Sequence, residues 1–352
     1  MDGFTRLRVS AVETLTPDAV AVTFDVPAQH ADTFRFRPGQ HLTLRREFDG
    51  RDLRRTYSVC TSSVDGPLRV AVKRFPGGAF STWLTNELQA GDRLEVLAPA
   101  GSFGPHLDPL RRRTYGLICA GSGITPVLSI AASALAVEPD SEVVVLYGNR
   151  TQRDVMLLED LADLKDRHPE RMQVLHVLSG EEQASELLSG RLDRTRLQRL
   201  FASLVPVDTI DEWFLCGPFA MVTEARATLL DAGVGLDRVH VELFHAEAPA
   251  PRARQTGPVP GAAAVTVLLH GRSSTVSVDH DGESVLDRVL AVRPDAPYAC
   301  KGGVCGTCRA RVVSGAVEMD VNYALEPDEL AAGVVLTCQA HPTTDQVSLE
   351  YL

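Results

Sequence analysis

Four cysteines carry the most specific chemistry in this 352-residue chain. Cys300, Cys305 and Cys308 stand at C-x4-C-x2-C spacing, and Cys338 follows after 29 intervening residues. This is the ligand pattern of a plant-type [2Fe–2S] centre, in which four thiolates hold two irons. Gly302, Gly303 and Gly306 lie among the ligands. Residues without bulk let the loop wrap a cluster and aim backbone N–H groups at its sulfurs, which stabilises the reduced, more negative state. A structural zinc site is the competing reading, yet all-cysteine zinc sites usually carry two short C-x2-C knuckles and only one short pair is present. Four unrelated core cysteines do not account for the glycines. Cys60 and Cys119 fall in apparent strands and read as small buried hydrophobes. Cys216 opens Cys216-Gly217-Pro218 at the carboxyl end of a predicted parallel strand, where it would face a ligand crevice. For it a core role and a functional role are both open.

Three further stretches suggest nucleotide chemistry. Arg55-Thr56-Tyr57-Ser58 offers a guanidinium for a phosphate, a ring that can stack on a flavin and a hydroxyl for its ring nitrogen. Alone it reads first as an exposed Arg and a core Tyr on a strand, and its company raises it. Gly77-Gly78-Ala79-Phe80-Ser81 follows at a strand-to-helix turn, where backbone N–H groups and a helix N-terminus can hold a pyrophosphate. Ala120-Gly121-Ser122-Gly123-Ile124-Thr125-Pro126 leaves a strand and opens a helix, without the third glycine of the dinucleotide fingerprint. A tight turn with no ligand is the alternative there. After the next strand, Arg150 and Arg153 stand where an Arg accommodates a 2′-phosphate, with Asp154 only later.

These residues need a frame. Period-two runs such as Val20–Phe24 and Leu68–Lys73, punctuated by Pro17-Asp18, Pro38-Gly39 and Gly66-Pro67, predict an antiparallel β-barrel over 1–108, with a helix from Phe80 to Leu88. Tyr115–Cys119, Val143–Tyr147, Val174–Leu178 and Trp213–Cys216 alternate with helical patterns such as Val155–Lys165. That alternation predicts a doubly wound α/β parallel sheet over 109–247, with its ligand at the carboxyl ends of the strands. A proline-rich linker covers 248–263, semi-stiff by composition. The unit at 264–352 opens with a hairpin around His270-Gly271-Arg272 and a helix from Ser284 to Ala291.

Composition excludes several classes. The 35 basic and 46 acidic side chains give a net charge of −11, which disfavours nucleic acid. Residues 264–352 hold 6 basic and 12 acidic groups, so this quarter supplies −6 of that charge and presents a surface suited to a docking partner. The uncharged run Thr114–Val137 has the length of a membrane span, but its central Gly121-Ser122-Gly123 and Thr125-Pro126 make it a strand, a turn and a helix. The first residues lack a basic stretch and an apolar run of export type. The expectation is a soluble cytoplasmic chain with reduced thiols.

Arg55-Thr56-Tyr57-Ser58, Gly121–Pro126, Cys216-Gly217-Pro218 and the four cysteines together resemble the ferredoxin–NADP reductase superfamily, in the subgroup with a C-terminal plant-type ferredoxin domain. Tyr298–Cys305 and Asn322–Gly333 are similar to the reductase subunits of phenylacetyl-CoA epoxidases, and the reductases of steroid 9α-hydroxylases share the architecture. The resemblance implies FAD, a [2Fe–2S] cluster on Cys300, Cys305, Cys308 and Cys338, and a β-grasp ferredoxin fold. It implies that Arg55 and Lys73 bind cofactor, that Tyr57 stacks on the isoalloxazine and that Ser58 approaches its N5. Gly78, Phe80 and Ser81 would lie along the FAD pyrophosphate. Gly121, Gly123, Thr125, Arg150, Gly217 and Pro218 would hold NADPH or NADH, with Cys216 near the nicotinamide. Phe244 corresponds to an aromatic that stacks on flavin in relatives that end there; here the chain continues, and a core role is equally open. The implied activity is a reductase feeding an oxygenase, the phenylacetyl-CoA epoxidase first and a Rieske-type or steroid hydroxylase second. A zinc-holding binding module without redox activity is the reading from another class.

Overall fold

The computed structural model describes residues 3–48, 50–244, 262–280 and 282–352. Strands β1 (Thr5–Thr16), β2 (Ala19–Asp25), β3 (His41–Phe48), β4 (Arg51–Ser58), β5 (Arg69–Lys73) and β6 (Arg93–Val96) pair antiparallel in the order β4-β3-β6-β1-β2-β5. Val59 bridges Val70, and the Cys60 N–H donates to the Arg69 carbonyl at 3.0 Å, so the end of β4 meets β5 and closes a barrel. Period-two residues such as Leu7, Val9, Val20 and Val22 point inward, and Phe80, Trp83 and Leu84 of helix α1 (Ala79–Asn86) complete that core.

Strands β7 (Thr114–Ala120), β8 (Glu142–Asn149), β9 (Met172–Leu178), β10 (Glu212–Gly217) and β11 (Val239–Leu243) form a parallel sheet in the order β11-β10-β7-β8-β9. Helices α2 (Ile124–Val137), α3 (Leu158–Arg167), α4 (Arg194–Ser203) and α5 (Phe219–Asp231) connect them. The chain builds outward from β7 to β9, then returns to place β10 on the other side of β7. This reversal opens a crevice at the carboxyl ends of β7 and β10. The uncharged run resolves into β7, a 3-10 turn at Gly121–Gly123 and α2. Among the described residues no helix is long and apolar enough to cross a membrane. Helix α3 begins three residues later than its periodicity predicts. Leu157 adopts a left-handed φ of 55°, and Val155, Met156 and Leu157 are buried as a turn.

Thr5–Phe244 is one compact unit. Ala19, Cys60, Ala71 and Phe103 from the barrel half share a core cluster with Tyr115, Leu117 and Ile124, so barrel and parallel sheet are fused through apolar contact. The chain after Phe244 belongs to a second unit. There β12 (Ala262–Leu269), β13 (Arg272–Asp279), β14 (Arg309–Ser314), β16 (Val334–Leu336) and β18 (Gln346–Tyr351) form a mixed sheet, β13-β12-β18-β14-β16, with β15 (Val317–Met319) pairing β17 (Ala340–Pro342) separately. The β12–β13 hairpin turns on His270 and Gly271, both at positive φ (51° and 74°), as a tight two-residue turn requires. Helix α6 (Val285–Leu290) packs its Val285, Leu286 and Val289 into this core behind a Ser284 cap, and α7 (Pro327–Ala331) is a short turn of helix. Of the expected proline-rich linker, 248–261 lie outside the described residues.

Candidate functional site

The motif residues of the barrel stand at the end of β4. Arg55 is exposed; its guanidinium donates to the Arg54 carbonyl at 2.7 Å and forms no ion pair among the described residues. It lies near enough to Tyr57 to pull that phenol's pKa down, against the stronger upward push of burial. The Tyr57 ring stands 6.2 Å from Phe80. An unpaired cation beside a half-buried aromatic fits a flavin with its phosphate. The side chains of Phe80 and Ser81 are engaged within the barrel unit itself. The Phe80 side chain is core, and the Ser81 hydroxyl accepts from the Phe75 N–H at 3.0 Å and donates to the Gly78 carbonyl at 3.3 Å. Only their backbone amides, in the first turn of α1, are placed to meet a pyrophosphate.

The glycine turn after β7 is built for close approach. Gly121 takes φ +54° and its carbonyl accepts from the Tyr147 hydroxyl at 3.0 Å. A Cβ on Gly123 would fall 2.2 Å from the Cys216 carbonyl oxygen, so the turn touches the end of β10 directly. Gly123→Ala is therefore expected to destabilise the unit by about 1–3 kcal/mol, read by chemical denaturation. The Thr125 hydroxyl donates to the Ser122 carbonyl at 3.1 Å and is buried. Gly217 takes φ +153°, with Ala120 backbone and Met221 where a side chain would go.

Cys216 does not face open solvent. It is wholly buried in register between Cys119 and Glu242, and burial pushes its thiol well above the ordinary range, so it remains SH. Glu242, on β11, is the group that residue types alone did not single out. The residue keeps some exposed surface, but its carboxyl is ringed by protein, which pushes its pKa up to about 8 against the pull of Ser58. The Ser58 hydroxyl donates to Glu242 Oε2 at 3.2 Å. The barrel's candidate flavin contact and the sheet's candidate nicotinamide contact thus share one neighbour. Phe244, one residue past β11, packs partly buried against the shared core.

Because folding raises the Glu242 pKa above the ordinary 4.5, its stabilising contribution is present at low pH and is lost as pH rises from there through about 8. Glu242→Gln is expected to remove this decline, so that the variant gains on the parent between pH 5 and pH 9 in thermal melts. An identical pH slope in both proteins would contradict the assignment.

A cleft of about 710 Å³ opens beside this point, with Lys73, Gly121, Asn149, Arg150, Arg191 and Pro218 in its wall. Lys73 reaches it from the barrel, paired with Asp18 at 3.5 Å. Arg153, expected from sequence, is not in the wall; Arg191, beyond β9, is.

In the second unit the four cysteines fall into two pairs. The Cys305 thiol hydrogen-bonds Cys300 and holds it below the ordinary thiol range, assisted by N–H groups of Gly302, Val304 and Cys305. The Cys308 thiol does the same for Cys338, with Gln339 assisting. The Gly302 N–H lies 3.3 Å from Cys300 Sγ and Gln339 Nε2 lies 3.5 Å from Cys338 Sγ. Two thiol pairs fit two irons. Among the described residues no three His, Cys, Asp or Glu side chains converge on a single-ion site, as tetrahedral zinc would need. Gly303 takes φ +75° with Val321 and Gln339 against it, and Gly306 takes φ +64° against Arg309. A Cβ on Gly302 would meet only the Cys300 carbonyl oxygen, at an ordinary 3.8 Å. The Tyr323 N–H donates to the Gly303 carbonyl at 3.1 Å, which lays the Asn322–Gly333 segment on the cysteine loop.

Comparison with known proteins matches three domain families along the chain. An oxidoreductase FAD-binding domain matches residues 6–104, an oxidoreductase NAD-binding domain 117–227 and a 2Fe-2S iron–sulfur cluster binding domain 267–343. The chain belongs to the ferredoxin reductase superfamily, in the class of oxidoreductases that join these three domains. Within that class it belongs to one family with a subunit of the 1,2-phenylacetyl-CoA epoxidase of Escherichia coli (strain K12), 46% identical over 352 residues, 100% of this chain and 98% of that protein. The ferredoxin reductase component of 3-ketosteroid-9-alpha-monooxygenase from Rhodococcus rhodochrous is 37% identical, covering 98% of this chain and 96% of its own. Phthalate dioxygenase reductase shares the fold, with a TM-score of 0.61 at 24% identity over 99% of this chain and 98% of its own. An intact type IV self-sufficient cytochrome P450 monooxygenase matches with a TM-score of 0.73 at 25% identity, over 98% of this chain and 41% of that longer one.

Proposed function

We propose that this reductase takes hydride from NADPH and delivers single electrons to an oxygenase, the phenylacetyl-CoA epoxidase. The observation that carries the reading is the Ser58–Glu242 hydrogen bond, which joins the flavin strand to the strand in register with Cys216. When bound, FAD and the [2Fe–2S] centre would supply the redox chemistry, a two-electron uptake followed by single-electron delivery.

The chain's own residues bind and orient. Arg55 neutralises the flavin phosphate, Tyr57 offers its ring face and Ser58 its hydroxyl, and the amides at Gly78, Phe80 and Ser81 meet the pyrophosphate. Gly121, Gly123 and Thr125 seat the nicotinamide nucleotide against Gly217 and Pro218, with Lys73 facing it from the barrel. Cys216 and Glu242, both neutral below about pH 8, keep charge away from the point where hydride passes. Phe244 shields that point from water. Cys300, Cys305, Cys308 and Cys338 hold the two irons in pairs. The functional division is then a flavin part at 1–108, a nucleotide part at 109–247 and a ferredoxin part at 264–352.

The epoxidase is favoured as acceptor over a Rieske-type or steroid hydroxylase by the higher identity to the epoxidase relative. Seven free cysteines suit a reducing, cytoplasmic setting. The test is reconstitution. NADPH-dependent turnover with the oxygenase subunits of the epoxidase is expected, against little with a ketosteroid oxygenase; the reverse preference would transfer the acceptor. A colourless protein lacking flavin and iron would remove the redox reading altogether.

A further inference from the structure

Hydride transfer needs the two ring systems held at a fixed separation, and the distance must be set by contacts outside the rings themselves. The structure places such contacts between the loop that follows β4 and helix α2. Ser129 Oγ donates to the Thr61 carbonyl at 2.7 Å, and the Ser63 N–H donates to Ser133 Oγ at 2.9 Å. Both serines are fully buried and lie one turn apart on one face of α2. Apart from Thr125 in its first turn, the rest of α2 is apolar, and both serine hydroxyls are engaged. A third contact runs in parallel: Arg69 of β5 donates to Asp160 of α3 at 2.5 Å and to Glu13 of β1 at 2.6 Å.

The positions of these contacts in the chain give them their meaning. Thr61 is three residues beyond Ser58, and Ser129 is one turn beyond Thr125. The bonded pair therefore joins the segment just after the flavin strand to the helix that opens at the nicotinamide turn. We propose that Ser129 and Ser133 are positioning residues for hydride transfer, fixing the flavin strand against the nicotinamide turn, with the Arg69–Asp160 ion pair as an outer brace. The inference rests on the reductase reading above. Neither serine lines the nucleotide cleft, so their effect is on the separation of the rings and not on nucleotide affinity.

The experiment is anaerobic stopped-flow reduction of the holoprotein by NADPH. The Ser129→Ala/Ser133→Ala double variant is expected to bleach its flavin about tenfold or more slowly at saturating NADPH. The NADPH concentration at half-maximal rate should be unchanged, and so should the visible spectra of the oxidised and the dithionite-reduced protein. Ser129→Thr, which restores a hydroxyl, should recover most of the rate. Asp160→Asn tests the outer brace without emptying a buried site, and it should give a smaller slowing of the same kind should the double variant fold poorly. A flavin-reduction rate within about twofold of the parent in either the folded double variant or Asp160→Asn would overturn the proposal. So would a change confined to half-saturation. Failure of the parent itself to be reduced by NADPH would instead overturn the reductase reading.

Discussion

Cys308→Ala is expected to abolish electron delivery to an oxygenase while leaving NADPH-driven reduction of a small dye almost untouched. Cys308 is buried, and its thiol serves Cys338, so its loss leaves one iron with a single protein ligand from that pair. Cys308 and Cys338 also belong to the core cluster of the second unit, along with Val265, Leu286 and Leu336. Ligand loss should therefore lower the melting temperature of that unit, because the binding free energy of its metal is also folding free energy. The unit formed by Thr5–Phe244 has its own core and should keep its own transition. Iron content, visible absorption and the two activities check this in one preparation. Full oxygenase reduction by the variant would remove Cys308 from the ligand set.

The cysteine spacing needed no structure, because metal ligation in a short loop is a local property. The same holds for the strand–turn–helix at Thr114–Val137, where glycines and a run of small residues encode one sharp turn. Glu242 was beyond reach for the opposite reason. Its sequence neighbours Val241, Leu243 and Phe244 describe an ordinary strand, and its raised pKa arises from burial of the carboxyl by the fold, against the opposing pull of Ser58, 184 positions away. The fusion of barrel and sheet is of this kind too. Cys60, Ala71 and Phe103 read as apolar in any arrangement, and period two marks which residues are buried but not what covers them. The Ser81 hydroxyl closes its own turn, a local pairing that the residue type at a helix start does not distinguish from an exposed ligand contact. Leu157 at positive φ delays α3, a conformation that leucine periodicity gives no sign of.

Arg150→Ala and Arg191→Ala should each raise the KM for NADPH about 10- to 100-fold while changing the KM for NADH little. Arg150 leaves the carboxyl end of β8, Arg191 follows the segment that returns to the end of β9 at Ser189, and both line one cleft. Neither forms an ion pair or a side-chain hydrogen bond among the described residues. The carboxylates in the same wall are all engaged. Asp154 accepts from the Thr151 N–H at 3.0 Å and hydroxyl at 2.7 Å, Asp193 caps α4 through the Arg196 N–H at 2.9 Å, Glu224 accepts from the Arg194 N–H at 3.3 Å, and Asp18 pairs with Lys73. A ribose diol would find its acidic partners occupied, whereas a 2′-phosphate would find two free guanidinium forks. Each such charge-assisted bond is worth about 1.5–3 kcal/mol, which sets the expected range of the single variants. Arg→Lys at either position should retain part of the effect, since charge survives and the bidentate fork does not. The preference should also weaken as ionic strength rises, because both arginines are solvent-exposed. Equal losses for NADPH and NADH would mean that the pair holds the shared pyrophosphate, and the 2′-phosphate would need other partners.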